Sequence, residues 1–472
     1  MVVVNELEIK VLWSKLMVEK REVIQWDQQN QVCNSVNSLV DNKVAGLQES
    51  EVRSYCRTFN KRFQKSKDEF LYTVDGEKYL DFFAGAGSLN YGHNNEELKK
   101  ALIAYIESDG ITHGLDFDTS VKSEFMKVFS ERVLEPTGLD YKIQFTSPSG
   151  TNANEAAMKL AKKVTGRSTI FSFTGSFHGM SLGSLAATGS NYFRKGLPSN
   201  LHDVVFFPYE NGFLEGFDSL GYMEAMLNDP SSGVDVPAAI ILETLQAEGG
   251  VNITSNRWLQ GIRELCDRYG ILLICDDVQV GCGRTGEFFS FTESGIVPDM
   301  VTLSKSISGY GLPMSVVLLK PEYDQWLPGQ HSGTFRGNQH AFVTGAEALK
   351  LRDAINLADQ VKQKSQIVST TLKESFERYP EIEVRGKGLI WGIDYGVIDR
   401  ALAKQISADC FIDGLIIECA GRYDEVLKIL PPLTISEESL KKGLKQITTI
   451  TNRIIAPIHN RLQNGTNDRK VA

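Results

Sequence analysis

Seven short runs of consecutive apolar residues recur between residues 143 and 319, with helical or loop-like segments between them. In chain order the runs read IQF, TIFSF, VVFFPY, AAIILE, ILLIC, MVTLS and MSVVLL. Strands that are apolar throughout, rather than alternately apolar and polar, are typical of a mostly parallel sheet buried on both faces. The pattern therefore predicts an α/β domain around a mostly parallel, seven-stranded sheet.

The two ends of the chain carry a different pattern. FLYTVDGEKYLD predicts a hairpin that turns at Asp75 and Gly76, and a glycine-rich loop follows it. After residue 341 a long helical pattern leads into three predicted strands, VRGKGLIWGIDYG, GLIIECAG and VLKILPPLTIS, and then into a final helix. Together the two ends predict a smaller α+β domain.

We expect several segments along the chain, because 472 residues usually exceed what one hydrophobic core organises. They are an N-terminal extension over 1–45, the N-terminal part of the small domain over 46–94, the large domain over 95–345, the C-terminal part of the small domain over 346–458, and a tail over 459–472. The spacing of Leu7, Val11 and Leu16 suits a short amphipathic helix in the extension, and the polar tail is expected to fray.

Composition narrows the class of protein. Hydrophobic residues make up 42% and charged residues 23% of the chain, and no window approaches the roughly 18 uninterrupted apolar residues of a membrane span. The net charge of −9, without a long basic run, argues against nucleic acid or an anionic membrane as a partner. The seven cysteines show no metal-binding spacing and no secretory leader precedes them, so we expect no metal and a cytoplasmic location.

Polar residues follow two of the apolar runs directly. Asp276, Asp277 and Gln279 come after ILLIC, and Lys305 comes after MVTLS. The carboxyl ends of parallel strands open into one crevice, so this acid and this amine can share a ligand. A lysine with an apolar approach forms a Schiff base with an aldehyde, and a buried carboxylate keeps a pyridinium nitrogen protonated. The pair predicts pyridoxal 5'-phosphate (PLP) as the cofactor.

Two further segments suit such a cofactor. A strand feeds the small-residue turn from Ser147 to Asn152 and then a helix, whose N-terminus offers backbone amides to a phosphate. A Ser-Gly-Thr sequence before a helix is equally typical of an ordinary cap, and this alternative stays open on the residues alone. Phe177, after another predicted strand, could stack on a planar ring.

Seven motifs in order resemble those of the class III aminotransferases of fold type I. They are SGTNANEAA, SFHG, ETLQAEGGV, ICDDVQVGCGRTG, LSKSISGYGLP, SGTFRGN and RGKGL, and the resemblance covers about residues 46–457. Within the class, EVRSYCR, FFAGAGSLNYGHN, DGITHGLD, SSGVD and LSKSISGYGLPM resemble the diaminobutyrate:2-oxoglutarate aminotransferases most closely.

The resemblance implies a role for each matching residue. Lys305 would bind PLP, Asp276 would pair with its ring nitrogen, and Gln279 would lie near its ring hydroxyl. The others implied are Gly150 and Thr151 at the phosphate, Phe177 on the ring, Glu243 beside Asp276 and Gln279, and Thr334 at the phosphate of a neighbouring subunit. A shared site of this kind implies a homodimer or a higher even oligomer.

The implied reaction is L-glutamate plus L-aspartate 4-semialdehyde giving L-2,4-diaminobutyrate plus 2-oxoglutarate. The resemblance also implies that Glu248 masks Arg385 and releases it to an α-carboxylate, against the alternative of a permanent surface ion pair. Alternatives for the reaction are another ω-aminotransferase, of the ornithine, acetylornithine or 4-aminobutyrate type, or a PLP aminomutase. Two residues differ from the patterns of these related enzymes and argue against the 4-aminobutyrate and ornithine alternatives. Met180 stands where many class III enzymes have an arginine, and Ala86 stands where ornithine enzymes have a tyrosine.

Overall fold

The computed structural model describes residues 49–197, 201–210, 212, 214 and 216–468. The predicted extension over 1–45 therefore lies outside the described residues. Contacts within the chain divide it into two units, Met1–Asn60 and Lys61–Ala472. In the first unit the described part contains one short helix, Tyr55–Thr58. The fold that follows belongs to the second unit.

Seventeen strands belong to the described part of the chain. They are β1 Phe63–Lys67, β2 Phe70–Thr73, β3 Lys78–Asp81, β4 Lys142–Phe145, β5 Ile170–Phe173, β6 Val204–Phe207, β7 Ala239–Leu242, β8 Leu245–Gln246, β9 Asn252–Ile253, β10 Leu272–Asp276, β11 Met300–Leu303, β12 Val316–Leu319, β13 Glu383–Lys387, β14 Ile390–Asp394, β15 Leu415–Ile416, β16 Glu418–Ala420 and β17 Val426–Ile429.

Helices connect these strands and cover the sheets. The α-helices of the second unit are Ala84–Gly87, Glu96–Glu107, Ser120–Phe129, Glu135–Thr137, Gly150–Thr165, Leu182–Ala186, Asn191–Arg194, Ser219–Asn228, Asn256–Tyr269, Gln339–Ala354, Leu357–Phe376, Leu402–Ile412 and Glu437–Asp468. A π-helical turn spans Ser130–Leu134, and 3-10 turns span Thr292–Ser294, Lys305–Ser308 and Pro321–Tyr323. Along the described residues, no helix is both long and apolar enough to cross a membrane.

The largest sheet has seven strands in the order β4-β12-β11-β10-β7-β5-β6. Strand β12 runs antiparallel to both of its neighbours, and the other pairings are parallel. Each of the seven apolar runs of the sequence supplies one of these strands, so the prediction of a mostly parallel seven-stranded sheet is confirmed.

Both faces of this sheet are buried, which explains why its strands are apolar throughout. Leu273 and Cys275 of β10 point into one hydrophobic cluster, whereas Leu272 and Ile274 point into another on the opposite side. The Gly150–Thr165 helix covers the second face with a row of buried alanines. Full burial of a leucine or isoleucine side chain contributes about 1.5–3 kcal/mol, so each strand adds several such increments.

A smaller sheet joins the two ends of the chain. Its order is β1-β2-β3-β15, and β15 pairs in parallel with β3 through Leu415 and Leu80. The predicted hairpin is present between β2 and β3, with Gly76 at a φ of 84° in its turn. The small α+β part is thus built from both chain ends, as predicted. The domain boundaries at residues 94, 345 and 458 stay predictions.

The prediction of three C-terminal strands is wrong, because five strands form there. VRGKGLIWGID folds into the hairpin β13–β14, and GLIIECAG divides into β15 and β16, which belong to different sheets. Strands β13, β14, β17 and β16 form a third sheet. Its hairpin turns at Gly388, where φ is 58° and a Cβ would lie 2.2 Å from the Arg284 carbonyl oxygen.

One helix prediction needs correction. The helical pattern from residue 341 to 379 is two helices, separated at Asn356, whose φ of 48° ends the first of them. The C-terminal helix reaches Asp468. The expected fraying of the tail over 459–472 stays a prediction, and residues 469–472 lie outside the described residues.

Candidate active site

Lys305 and Asp276 are delivered by two neighbouring strands of the large sheet. Asp276 is the last residue of β10 and pairs in register with Thr302 of β11, three residues before Lys305. Lys305 opens a 3-10 turn with a φ of 52°, a left-handed conformation that a lysine rarely adopts. Strain of this kind persists where the surrounding structure fixes a functional side chain. The predicted convergence of acid and amine is present.

Three hydrogen bonds fix the carboxylate of Asp276. Asn154 Nδ2 donates to Oδ2 at 2.7 Å, His178 Nδ1 bonds the same oxygen at 2.8 Å, and the amide of Val278 donates to Oδ1 at 3.0 Å. Thr302 in turn donates to Asn154 Oδ1 at 2.7 Å. All these side chains except Val278 are almost fully buried, so Asp276 is held in one orientation.

Asn154 and His178 were not found by sequence reasoning. Asn154 lies on the buried face of a helix whose other buried residues are almost all apolar, and that single polar residue was the available signal. His178 Nε2 is buried and has no hydrogen-bond partner among the described residues. His178 stood in the SFHG motif, where only Phe177 was given a role.

Burial and nearby charges set the proton affinity of the site. Burial lowers the pKa of Lys305 below its ordinary value, although Glu248, Glu418 and Asp276 oppose the shift. Burial also raises the pKa of Glu243 well above its usual range, and the negative charge of Asp276 adds to this. Glu243 Oε1 accepts a hydrogen bond from the Phe177 amide at 2.9 Å. The place of Glu243 beside Asp276 and Gln279 stays a prediction.

The start of the Gly150–Thr165 helix has the features of a phosphate seat. The Ser149 side chain bonds Asn152 Oδ1 at 2.7 Å and makes no capping bond to the backbone amides. A Cβ on Gly150 would lie 2.7 Å from Val278 Cγ1, so only glycine allows this approach. Thr151 Oγ1 lies 2.6 Å from Ser181 Oγ. The amides and the positive end of this helix suit an anion.

Gln279 and Phe177 line the same region. Gln279 Nε2 donates to the Ala86 carbonyl at 2.9 Å, and its Oε1 is buried without a partner in the described part of the chain. Ala86 itself has a φ of 55° within the glycine-rich loop. Phe177 is partly buried and meets Phe193 edge to face at 5.5 Å.

The predicted ion pair between Glu248 and Arg385 is wrong. Glu248 Oε1 accepts from Lys428 Nζ at 2.6 Å instead. Arg385 bonds Asp394 at 2.9 Å, Glu383 at 2.7 Å and the Gly250 carbonyl at 2.7 Å. The guanidinium is therefore engaged with its own strand pair and with the loop after Glu248.

Lys428 and Glu418 were missed by sequence reasoning, because each lies inside a strand-like run. The Lys428 side chain is fully buried on β17, and Glu418 Oε1 lies 3.0 Å from its amine. The charges of Lys428, Glu248 and Glu418 all act on Lys305. Lys428 is thus a buried cation whose charge lowers the pKa of Lys305, and its two carboxylate partners oppose that effect.

Asp277 has a structural role. Both of its carboxylate oxygens accept bonds from Ser290, one from the amide at 2.9 Å and one from the hydroxyl. Burial raises the pKa of Asp277 to about 7.

Thr334 lies in an exposed loop. The preceding residue, Gly333, lies close to the side chain of Ser147. Met180 is also exposed.

Residues 54–451 match the family model described as aminotransferase class-III. The chain belongs to the class III aminotransferases. The aminotransferase is 54% identical over 400 residues to the "Diaminobutyrate--2-oxoglutarate transaminase" of Vibrio parahaemolyticus, covering 84% of this chain and 94% of that one. It is 51% identical over 409 residues to the protein of the same name from Halalkalibacterium halodurans, covering 86% and 95%.

Solved structures of other aminotransferases share the fold. The aminotransferase superposes on an (S)-enantioselective omega-transaminase from Thermomicrobium roseum with a TM-score of 0.77 and 25% identity, over 87% of this chain and 97% of that one. A taurine:2-oxoglutarate aminotransferase from Bifidobacterium kashiwanohense, in complex with PLP and glutamate, gives a TM-score of 0.75 and 26% identity, over 84% and 93%. The predicted fold type I is confirmed.

Class III aminotransferases use PLP, and the residues present fit that cofactor. Lys305 offers a buried amine with a lowered pKa, and Asp276 offers a fixed carboxylate. The start of the helix at Gly150 suits the phosphate. The buried Oε1 atom of Gln279 is a suitable acceptor for a donor such as the ring hydroxyl. In the described residues no group of histidine, cysteine and carboxylate side chains is arranged for a metal ion.

Proposed function

We propose that this enzyme transfers the terminal amino group of L-2,4-diaminobutyrate to 2-oxoglutarate, giving L-aspartate 4-semialdehyde and L-glutamate, in a reversible reaction. The observation that carries the proposal is the match to relatives named diaminobutyrate--2-oxoglutarate transaminase. Their identity to this chain is 50–54%, and the alignments span 84–86% of it. The intact Lys305 and Asp276 support catalysis rather than cofactor storage.

PLP, when bound, supplies an electron sink for the carbon that carries the reacting amino group. Lys305 provides the amine that holds it, and its Nζ takes and returns a proton during the transfer, since burial lowers the pKa of this amine. Asp276 keeps the ring nitrogen protonated. Gln279 orients the ring hydroxyl, Phe177 covers the ring, and Gly150 and Thr151 hold the phosphate.

Glu243 acts as a positioning residue in this scheme. Its carboxyl fixes the backbone of Phe177 and lies within electrostatic reach of Asp276. Because burial favours its neutral form, it adds no second negative charge beside Asp276.

One site must accept two different amino donors. Glutamate reacts at its α-amine and brings a carboxylate next to the reacting carbon, whereas diaminobutyrate reacts at its terminal amine and does not. We assign the carboxylate contact to Lys428, whose buried ammonium acts on Lys305, with Glu248 as the counter-ion that the substrate carboxylate displaces. Glu248 suits displacement because its side chain is 28% exposed, while that of Lys428 is buried.

Arg385 takes a different part in this proposal. It anchors the Gly250 carbonyl and so holds the loop that carries Glu248. We therefore retain Glu248 as a substrate-binding residue and assign Arg385 the positioning of its loop.

The proposed assembly is a homodimer or a higher even oligomer with shared sites. Thr334 is exposed, and the neighbouring Phe335 packs edge to face on His113 at 5.2 Å. Around this contact lies an exposed apolar set formed by Ile111, Leu115, Phe117 and Phe335. Contiguous exposed apolar residues mark protein–protein interfaces, and a second copy would place Thr334 at its neighbour's phosphate seat.

A cytoplasmic location is proposed from the free thiols of the six cysteines in the described part.

The test is an assay of the purified holoenzyme with diaminobutyrate and 2-oxoglutarate. We expect glutamate and aspartate 4-semialdehyde to appear in equal amounts over many turnovers, and no more than one semialdehyde per active site when 2-oxoglutarate is omitted. Continued turnover without 2-oxoglutarate would identify an aminomutase or a decarboxylase instead. Faster turnover of ornithine, acetylornithine or 4-aminobutyrate than of diaminobutyrate would assign the enzyme to another ω-aminotransferase.

A further inference from the structure

Lys428 has two carboxylate partners. Glu248 lies 2.6 Å from its amine, and Glu418 lies 3.0 Å from it on the neighbouring strand. Glu418 and Lys428 stand directly opposite each other in the antiparallel pairing of β16 with β17, so the second contact is fixed by the sheet register. The sheet register therefore holds the Glu418 carboxyl beside Lys428, whereas the Glu248 carboxyl lies on a loop and can be displaced.

The two carboxyls differ in their surroundings. The Glu418 side chain is 6% exposed, compared with 28% for Glu248. Burial, together with the charge of Glu248, raises the pKa of Glu418 to about 7 against the attraction of Lys428. Burial alone would raise the pKa of Glu248, but Lys428 and Lys305 hold it below its ordinary value. Glu248 is therefore the ionised partner and Glu418 the one able to gain a proton.

We propose that Glu418 is a specificity-determining residue that gains a proton when a substrate carboxylate displaces Glu248 from Lys428, so that this site binds a dicarboxylate together with a proton from solvent. This inference rests on the proposed function, which places the substrate carboxylate at Lys428. The substrate carboxylate brings a further negative charge to a site in which one buried ammonium already faces Glu248 and Glu418, and added charge is costly in a region of low dielectric constant. Protonation of Glu418 leaves Lys428 with a single anion, the substrate.

The groups that face Glu418 leave it as the one expected to titrate between pH 6 and 8. Lys428 of β17 stays protonated, because its two carboxylates raise its pKa above the ordinary value despite burial. Glu248 stays ionised. The remaining groups are Lys305 from the 3-10 turn, the adjacent Cys419, and Lys404 and Cys410 of the Leu402–Ile412 helix.

Cys410, Cys419 and Lys404 titrate above this range. Burial raises the pKa of both Cys410 and Cys419 to about 12. Lys404 pairs with Asp424 at 2.8 Å, which raises its pKa against the effect of burial. Lys305 is common to all variants of the test below, so its contribution cancels in comparisons.

The probe is glutarate, a dicarboxylate with neither an amine to titrate nor an oxo group to react. Calorimetric titration of the holoenzyme at pH 8, in two buffers with different ionisation enthalpies, gives the protons gained per glutarate bound. We expect wild-type enzyme to gain nearly one proton and the Glu418→Gln variant to gain almost none. Above pH 8, where Glu418 of the free enzyme is ionised, the wild-type affinity should fall by close to tenfold per pH unit, as one linked proton requires, and the fall should flatten towards pH 7. The affinity of Glu418→Gln should stay nearly constant.

The Glu248→Gln variant is the matched control, since it neutralises the other partner of the same ammonium. It should still gain a proton. Equal proton uptake by wild type and Glu418→Gln would overturn the inference. If Glu418→Gln fails to fold, Glu418→Asp decides the matter, because the shorter side chain moves the carboxyl away from Lys428 and should shift the pH midpoint of glutarate binding. An unchanged midpoint would overturn the inference as well.

The outcome is separable from that of the proposed function. An enzyme that does not transaminate diaminobutyrate refutes the proposed function, whatever glutarate does. An enzyme that transaminates diaminobutyrate but gains its proton independently of Glu418 refutes only this inference.

Discussion

At the scale of single residues, Asp276 is the most tightly constrained group of the site. Asn154, His178 and the Val278 amide all bond to its carboxylate oxygens. These three contacts hold the carboxylate of Asp276 in one orientation.

We predict that Asp276→Asn retains the cofactor but loses turnover by about 100-fold or more, the size of effect found when a preorganised charge is removed. Cofactor absorbance per chain and kcat are the measurements. Asp277→Asn is the matched control, because Asp277 is equally buried but bonds Ser290, and its kcat should fall far less. A kcat for Asp276→Asn within tenfold of wild type would refute the assigned role.

A second prediction separates Glu248 from Arg385. Glu248→Gln should leave the Lys428 ammonium without its displaceable anion, so the half-reaction with glutamate should gain several-fold relative to that with diaminobutyrate. Arg385→Gln should change both half-reactions by the same factor, since Arg385 positions the loop through Gly250. Single-turnover mixing with each donor gives both rates. A change of the ratio by Arg385→Gln alone would return the carboxylate contact to Arg385.

Lys305, Asp276 and Gln279 could be predicted because each follows an apolar run at a strand end. Lys428 could not, since a lysine within VLKIL has the local pattern of a core strand with one polar position. Its partner Glu248 is 180 residues away along the chain. Only the register of β16 with β17 and the position of the Glu248 loop bring the three charges together.

At the scale of elements, the helix that begins at Gly150 packs so closely against Val278 that a larger residue at position 150 would force a shift. A Cβ there would lie 2.7 Å from Val278 Cγ1, which must then shift or push the helix start away. Overpacking of this kind costs about 1–3 kcal/mol. Val278 lies two residues after Asp276, so a shift there reaches the cofactor pocket.

We predict that Gly150→Ala folds but binds PLP about tenfold or more weakly, as 1.4 kcal/mol is tenfold in affinity. Equilibrium titration of the apoenzyme with PLP measures this. Thr165→Ala, at the far end of the same helix, is the control and should bind PLP normally. Equal affinities for the two variants would show that the helix start does not touch the cofactor.

The elements that the sequence predicted well are those in which one pattern persists over a whole strand or helix. The seven strands of the large sheet are apolar on both faces, and the apolar runs alone revealed them. The C-terminal hairpin was missed because its turn at Gly388 depends on the approach of Arg284, and only two residues separate its strands. Asn356 ends a helix by a single left-handed residue, which amphipathic spacing does not record.

At the scale of the whole molecule, the main open proposal is that two chains share each site. Thr334→Ala should then release PLP more readily, and dilution of wild-type enzyme to the monomer should remove PLP and activity together. Cofactor retained per chain across a dilution series, alongside the molecular mass from light scattering, is the measurement. Thr370→Ala is a control at another exposed threonine. An active monomer that retains PLP would contradict the shared site.

At this scale, only the family resemblance predicted a shared site. The exposed apolar residues from Ile111 to Phe117 are scattered among polar ones, and their proximity to Phe335 depends on the fold. A charge of −9 spread over the chain likewise does not show that cations are buried at Lys428 and Arg284.

The central claim is that a single site, built around Lys305, accepts an amino group from both diaminobutyrate and glutamate. The most direct measurement is stoichiometric mixing of the holoenzyme with each donor without an oxo acid, followed by absorbance of the cofactor. Each donor should convert the aldehyde form of the cofactor to its amine form, and 2-oxoglutarate should restore the aldehyde form in both cases. Lys305→Ala should complete neither cycle. Conversion by only one donor, or a complete cycle in the Lys305→Ala variant, would contradict the account.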